Sequence, residues 1–210
     1  MPVTELACLH LKNNLPLTHP TNASLYTALR AGITAQAEYT NAKTSLLSQI
    51  EEPSYIYIVG RWASVAQHME EWVPSSKNQE IMAALGDGIE VVWVQHLALD
   101  DSQTRGQDEG IPYSDAVVGI GRYFVASENK DGFERDFTET RHHLETFKRQ
   151  RDIAWGWSVD RDEEFVLFSG WEAVDEHFSF ADSEGFKEFS RIRDVMLSAE
   201  IKHARWEFTL

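Results

Sequence analysis

Two stretches of this chain alternate and then cycle in the same way. Tyr55-Ile-Tyr-Ile-Val-Gly-Arg-Trp62 is a run of apolar and aromatic positions, and Val65, His68, Met69 and Trp72 follow it at helical spacing. Glu164-Phe-Val-Leu-Phe-Ser-Gly-Trp171 repeats the run, followed by Val174, His177, Phe178 and Ala181. Trp62 and Trp171, Val65 and Val174, and His68 and His177 recur at one constant offset of 109 residues. A repeat of this length predicts two similar halves, each of ordinary domain size.

The remaining pattern fills in both halves. Glu5 to Lys12 reads as a strand, and Leu25, Leu29, Ile33 and Ala37 recur on one helical face after Pro16 and Pro20. Thr44 to Ile50 and Tyr55 to Trp62 read as strands. Ser64-x-x-Gln67 and Ser76-x-x-Gln79 read as capping boxes that open two helices, and Ile89 to Leu99 as a strand. In the second half Ala116 to Ala126 is a predicted strand. Phe133, Phe137, Leu144 and Phe147 mark a helix, with Leu144 falling where the first half has Gln36. Trp155, Trp157 and Val159 share one side of the next strand. Helical spacing through Phe186, Phe189, Ile192 and Met196 and a strand from Glu200 to Leu210 complete it.

Each half thus reads strand–helix–strand–strand–helix–strand, the ferredoxin-like βαββαβ order. A four-stranded sheet covered by helices on one side only, and apolar on the other, needs a partner sheet. The expected fold is α+β: two tandem ferredoxin-like units packing as an intramolecular α/β barrel. Residues 1–99 form the first half, the polar stretch 100–115 a linker, and 116–210 the second half.

The chain of 210 residues carries a formal charge of −15, which argues against nucleic acid and anionic membranes as partners. Cys8 is the single cysteine, so no intrachain disulfide forms. No signal sequence or membrane span is legible, and a cytoplasmic location is expected. Ligand spacing for a metal, a phosphate loop and a dinucleotide fingerprint are all missing, so no metal and no cofactor are expected.

The βαββαβ order in both halves, the Trp-x5-His element and the stretch Trp171-Glu-Ala-Val-Asp-Glu-His177-Phe-Ser-Phe-Ala-Asp-Ser-Glu-Gly-Phe186 resemble the dimeric α/β-barrel superfamily in its fused form. The nearest flavour is that of fungal proteins related to antibiotic-biosynthesis monooxygenases. That resemblance covers nearly the whole chain. It implies a small-molecule pocket between the sheet and helices of one unit. It also implies a choice among cofactor-free oxygenases of aromatic polyketides, polyketide cyclases, isomerases, haem-degrading enzymes and stress-response proteins.

His177 and His68 lie on apolar helix faces turned toward such a pocket. Imidazole titrates near neutrality, so either serves as a general acid or base, or else packs as part of each half's core. Tyr57 or Tyr123 is a candidate to steady an enolate oxygen. Trp155, Trp157, Arg122, His203, Phe178 and Phe165 are candidate substrate contacts, with core packing and, for Arg122, a salt bridge as the competing roles. The expected activity is cofactor-independent acid/base cyclisation or isomerisation of an aromatic or polyketide-like molecule, in secondary metabolism. A cofactor-free monooxygenase or a non-catalytic binding protein are the alternatives, and a homodimer is possible. The aromatic density of the second half makes it the expected active one.

Overall fold

The computed structural model describes residues 1–99, 110–147 and 152–210. The chain is α+β, and it divides into two compact units: Met1–Ala98 with Arg205–Leu210, and Leu99–Ala204.

In the first unit the strands are β1 (Val3–Leu11), β2 (Thr44–Gln49), β3 (Tyr55–Trp62) and β4 (Ile89–Leu99). Antiparallel pairing runs β4-β1-β3-β2, with a register shift at Cys8/Leu9 between β1 and β4. β1 is buried almost throughout, as a strand covered on both faces must be. Helix α1 (Ala23–Thr40) buries Leu29, Ile33 and Gln36 toward the sheet and ends on Asn41 in the left-handed conformation. The last residues of the chain belong here because Thr44 and Leu210 exchange both backbone hydrogen bonds at 3.1 Å.

The predicted helix after Trp62 is a wide turn, Gln67–Trp72, in which the Val73 N–H reaches the His68 carbonyl five residues back at 2.9 Å. Its opening is close to the expected capping box. The Gln67 N–H donates to Ser64 Oγ at 3.1 Å, and Gln67 Oε1 accepts from the Ala63 N–H at 2.7 Å. The second box is displaced by one residue. Ser75 caps α2 (Ser76–Leu85) by accepting from the Asn78 N–H at 3.2 Å, and the Gln79 amide turns back to the Val73 carbonyl.

The second unit repeats the order with β5 (Val117–Phe124), α3 (Lys130–Phe147), β6 (Ile153–Ser158), β7 (Glu164–Trp171), α4 (Val174–Ala181), α5 (Glu184–Phe189) and β8 (Ser198–Thr209). β6 pairs with β7, β7 with β5, and β5 with the start of β8, all antiparallel. Phe133, Asp136, Phe137, Thr140 and Leu144 form the buried stripe of α3. Phe133 and Phe137 are fully buried, each contributing roughly 2–3 kcal/mol of apolar burial. β6 stops before Val159, which is exposed, because Ser158 Oγ accepts from the backbone N–H groups of Asp160 and Arg161 and turns the chain.

Of the expected linker, positions 100–109 lie outside the described residues. Positions 110–115 pack onto the second unit. Ile111 is buried, and Gly110, at φ 70°, lies where a Cβ would fall 2.6 Å from the Ile153 carbonyl oxygen. Among the described residues no helix is long and apolar enough to cross a membrane.

Candidate functional site

Each unit holds a cavity between its sheet and its helices. The one in the first unit, of about 480 Å³, is walled by Ala7, Leu9, Leu29 and Ile33 and by the side chains of Trp72 and Met69. Met69 and Met82 are both in its wall and solvent-exposed, so they mark the mouth. The polar groups reaching this apolar space include Glu5, Gln36 and His68.

Glu5 is the residue that sequence reasoning missed. It sits on β1 opposite Gly60 and is 4% exposed. Its Oε2 accepts from Trp62 Nε1 at 2.8 Å and from Gln36 Nε2 at 2.7 Å, while its Oε1 has no hydrogen bond among the described residues. Burial raises the carboxyl from 4.5 to about 7, against the two hydrogen bonds that pull it down. Gly60 makes the arrangement possible, since a Cβ there would fall 2.4 Å from Gln36 Nε2. His68 stacks on Trp62 at 4.2 Å, nearly parallel, with its Nε2 3.8 Å from Glu5 Oε2. Its Nδ1 is 2.8 Å from Nε2 of His96, a buried residue of β4 that the sequence also did not single out.

The second unit keeps part of this. Trp171 and His177 stack at 4.2 Å, and His177 Nδ1 lies 2.8 Å from His203 Nε2. The strand register sets Gly119 in the place of Glu5, for Val3 pairs with Trp62 as Val117 pairs with Trp171. Leu144 replaces Gln36, and Ser169 replaces Gly60 and accepts from Trp171 Nε1 at 2.9 Å. The carboxyl is gone and a hydroxyl has taken its hydrogen bond. A cavity of about 580 Å³ lies here, lined by Tyr123, Ser169, His177 and the rings of Phe180, Phe186 and Phe189. Tyr123 is buried, which pushes its phenol up to about 12.

The structure therefore brings His177, His203 and Tyr123 together in one unit and places His68 beside a carboxyl in the other. The remaining predicted residues lie elsewhere. Tyr57 is on the face of β3 turned away from the first cavity, accepting from Gln49 Nε2 at 2.6 Å. Arg122 donates from Nε and Nη2 to Glu164 and from Nη1 to Glu200. Burial works against its charge, and the two carboxylates outweigh that and hold its pKa above the usual value. Phe165 packs under α3 against Phe133 and Phe137, each at 5.0 Å. Trp155 packs at a tilt against Phe137 at 5.4 Å with Arg141 over its ring, and Trp157 contacts Phe165 with Lys130 over its ring. None of these three lines the cavity. Phe178 is exposed, its ring edge-on to His203 at 5.8 Å.

No protein-family model and no curated protein sequence matches the chain. Its fold does match solved structures. A Fusobacterium nucleatum protein provisionally designated a monooxygenase superposes with a TM-score of 0.69 at 10% identity, covering 99% of this chain and 93% of its own. An anthrone oxidase-like protein gives 0.67 at 11% identity, covering 99% and 92%. A haem-binding protein of Thermus thermophilus gives 0.60 at 9%, covering 98% and 90%. The likeness is one of fold alone. The narrower resemblance to fungal proteins rests on the sequence stretch alone.

Proposed function

We propose that this protein is a small-molecule enzyme that moves a proton at a carbon next to a carbonyl, on an aromatic or polyketide-like substrate held in the first unit's cavity. The observation that carries the reading is Glu5. One carboxyl oxygen is fixed by Trp62 and Gln36, the other is without a hydrogen bond among the described residues, and the group loses its proton near pH 7 inside an apolar space. A base poised at the working pH is what general acid/base catalysis needs. Apolar walls of Leu, Ile and Trp suit a flat, largely hydrophobic substrate.

In this reading Glu5 takes the proton, and the C–H electron pair becomes an enolate. In the tautomer in which His96 donates to Nδ1, His68 carries its proton on Nε2, where it steadies the developing oxygen. Return of the proton at another carbon isomerises the substrate. Attack of the enolate carbon on a second carbonyl closes a ring, and Glu5 protonates the alkoxide. The expected base thus moves from His177 to Glu5, and from the second unit to the first.

The likeness to an anthrone oxidase-like protein favours one other fate for the same anion. Reaction with dioxygen at a carbon that bears two hydrogens would leave one oxygen atom on it as a carbonyl and release the other, with both hydrogens, as water. Haem chemistry fits the first unit poorly, because Nε2 of His68, the nitrogen that would ligate iron, lies 3.8 Å from Glu5 Oε2 and its ring is stacked on Trp62.

Deuterium exchange at the acidic carbon of 2-tetralone in D2O, followed by mass spectrometry, tests the proton transfer whatever the fate of the anion. The wild type is expected to accelerate exchange, with kcat/KM rising as pH passes through about 7. Glu5→Gln is expected to lower the rate by about 10²-fold or more. Equal exchange by the two proteins would sink the assignment. An oxygen electrode separates the two fates: consumption of one O2 per turnover selects the oxygenase.

A further inference from the structure

We propose that Gln36 is a positioning residue for Glu5: its amide, seated over the bare backbone of Gly60, pins Oε2 of the carboxyl and leaves Oε1 as the oxygen that takes the substrate's proton. This rests on the role assigned to Glu5 above and extends it to two further residues, one on α1 and one on β3.

Three observations converge. The first is the contact. Gln36 is buried, and its Nε2 donates to Glu5 Oε2 at 2.7 Å. Trp62 Nε1 donates to the same oxygen at 2.8 Å. The terminal torsion of a glutamate is soft, so it is these two donors, from α1 and β3, that fix which oxygen stays free. The second is room. A Cβ at position 60 would fall 2.4 Å from Gln36 Nε2, so the amide reaches the carboxyl only across a glycine. The φ of Gly60 is not positive, so the glycine is there for space rather than for backbone freedom. The third is the repeat. Gly119, Leu144 and Ser169 stand in the second unit where Glu5, Gln36 and Gly60 stand in the first. All three differ together, while the stacked Trp and His beside them are kept. The amide and the bare glycine occur where the carboxyl occurs, and a residue that only filled the core would have no reason to change with it.

Aiming the carboxyl and tuning it have opposite consequences. The amide's hydrogen bond favours the ionised carboxyl, so removing it makes Glu5 a stronger base. If tuning were all that Gln36 did, its loss would speed proton abstraction once Glu5 is ionised. If Gln36 aims the carboxyl, its loss slows that step even though the base is stronger. Among the residues lining this cavity the other titratable group is His68, from the wide turn, with His96 of β4 behind it. Asn78 and Gln79 of α2 are neutral, so a change at Gln36 is read against a simple background.

Gln36→Leu installs the residue that α3 carries at this place, and two readouts on the intact protein test it. In a carbon-13 NMR titration of glutamate-labelled protein, the Glu5 carboxyl signal is the one missing from Glu5→Gln. Its midpoint, about 7 in the wild type, is expected to rise by about one pH unit, the worth of one hydrogen bond to a charged group. In 2-tetralone exchange above both midpoints, kcat is expected to fall by about 10-fold with KM held within about twofold. Gly60→Ala keeps the amide but displaces its flexible end, and is expected to reproduce both changes. Because the two act through one contact, Gln36→Leu/Gly60→Ala is expected to be no slower than Gln36→Leu. An unmoved midpoint in Gln36→Leu, or a rate above both midpoints that equals or exceeds the wild type's, overturns the assignment. A wild type that shows no exchange, with a midpoint that still rises in Gln36→Leu, removes the chemistry from Glu5 and upholds the contact, so the two readings fail separately.

Discussion

A single carboxyl decides what the first cavity can do, and the same carboxyl is a cost to the fold. Glu5 ionises near 4.5 in an unfolded chain and near 7 when buried. Between those values the folded protein holds a proton that the unfolded chain has released, so stability falls as pH rises through this window and levels off above it. Glu5→Gln keeps acceptors for Trp62 and Gln36 and removes the ionisation. It is expected to match the wild type near pH 4 and to exceed it by on the order of 3 kcal/mol at pH 8. Urea unfolding at the two pH values measures this, and an equal offset at both would contradict a raised carboxyl. The sequence hid this residue for a physical reason. Glu5 stands at the edge of an apolar run in a chain with 34 acidic residues, nearly all of which have reason to be solvated. A signal was present nonetheless. The repeat broke at Gln36, opposite Leu144, and the partner of that break is Glu5, opposite Gly119. Two polar residues of one half facing small and apolar ones of the other mark a site rather than a core.

At the level of elements, alternation and helical spacing located most of the architecture, and β3 and β7 coincide with the predicted runs from Tyr55 to Trp62 and Glu164 to Trp171. What spacing could not show is hydrogen-bond pattern. The turn at Gln67–Trp72 is wide in the first unit, whereas Val174–Ala181 is an ordinary α-helix in the second. The His–Trp stack is 4.2 Å in both units, so it does not depend on the wide turn, which carries Trp72 to 6.2 Å from Trp62. Trp155 and Trp157 of β6 pack against Phe137 and Phe133 of α3, outside the wall of the second unit's cavity, a distinction their alternation does not encode. The segment after the expected linker is likewise structural. A Cβ on Gly170 would fall 2.0 Å from Asp115 Oδ2 and 2.7 Å from the Pro112 Cβ. Gly170→Ala is therefore expected to push residues 110–115 off β7 and to destabilise the protein by about 2–3 kcal/mol, the range of core overpacking. Hydrogen exchange would show it as faster exchange at Tyr113 and Asp115, whose amides bond to the Ile111 and Pro112 carbonyls.

For the molecule as a whole, the repeat has kept one half of a device and divided the other. Both units retain the stacked Trp and His and the His–His contact, at 2.8 Å in each, so this trio is the part the architecture requires. The polar groups beside it have diverged: a carboxyl and an amide in the first unit, two hydroxyls in the second. The cavities share no lining residue, and this makes a quantitative prediction. Changes at sites with no common partner add in free energy to within about 0.5 kcal/mol. The double variant Glu5→Gln/Tyr123→Phe is expected to show the exchange rate of Glu5→Gln, unmodified by the second change. Tyr123→Phe alone should leave 2-tetralone exchange at the wild-type rate. If it instead lowers exchange as Glu5→Gln does, the second cavity takes part in the chemical step, and the assignment of that step to the first unit alone is wrong.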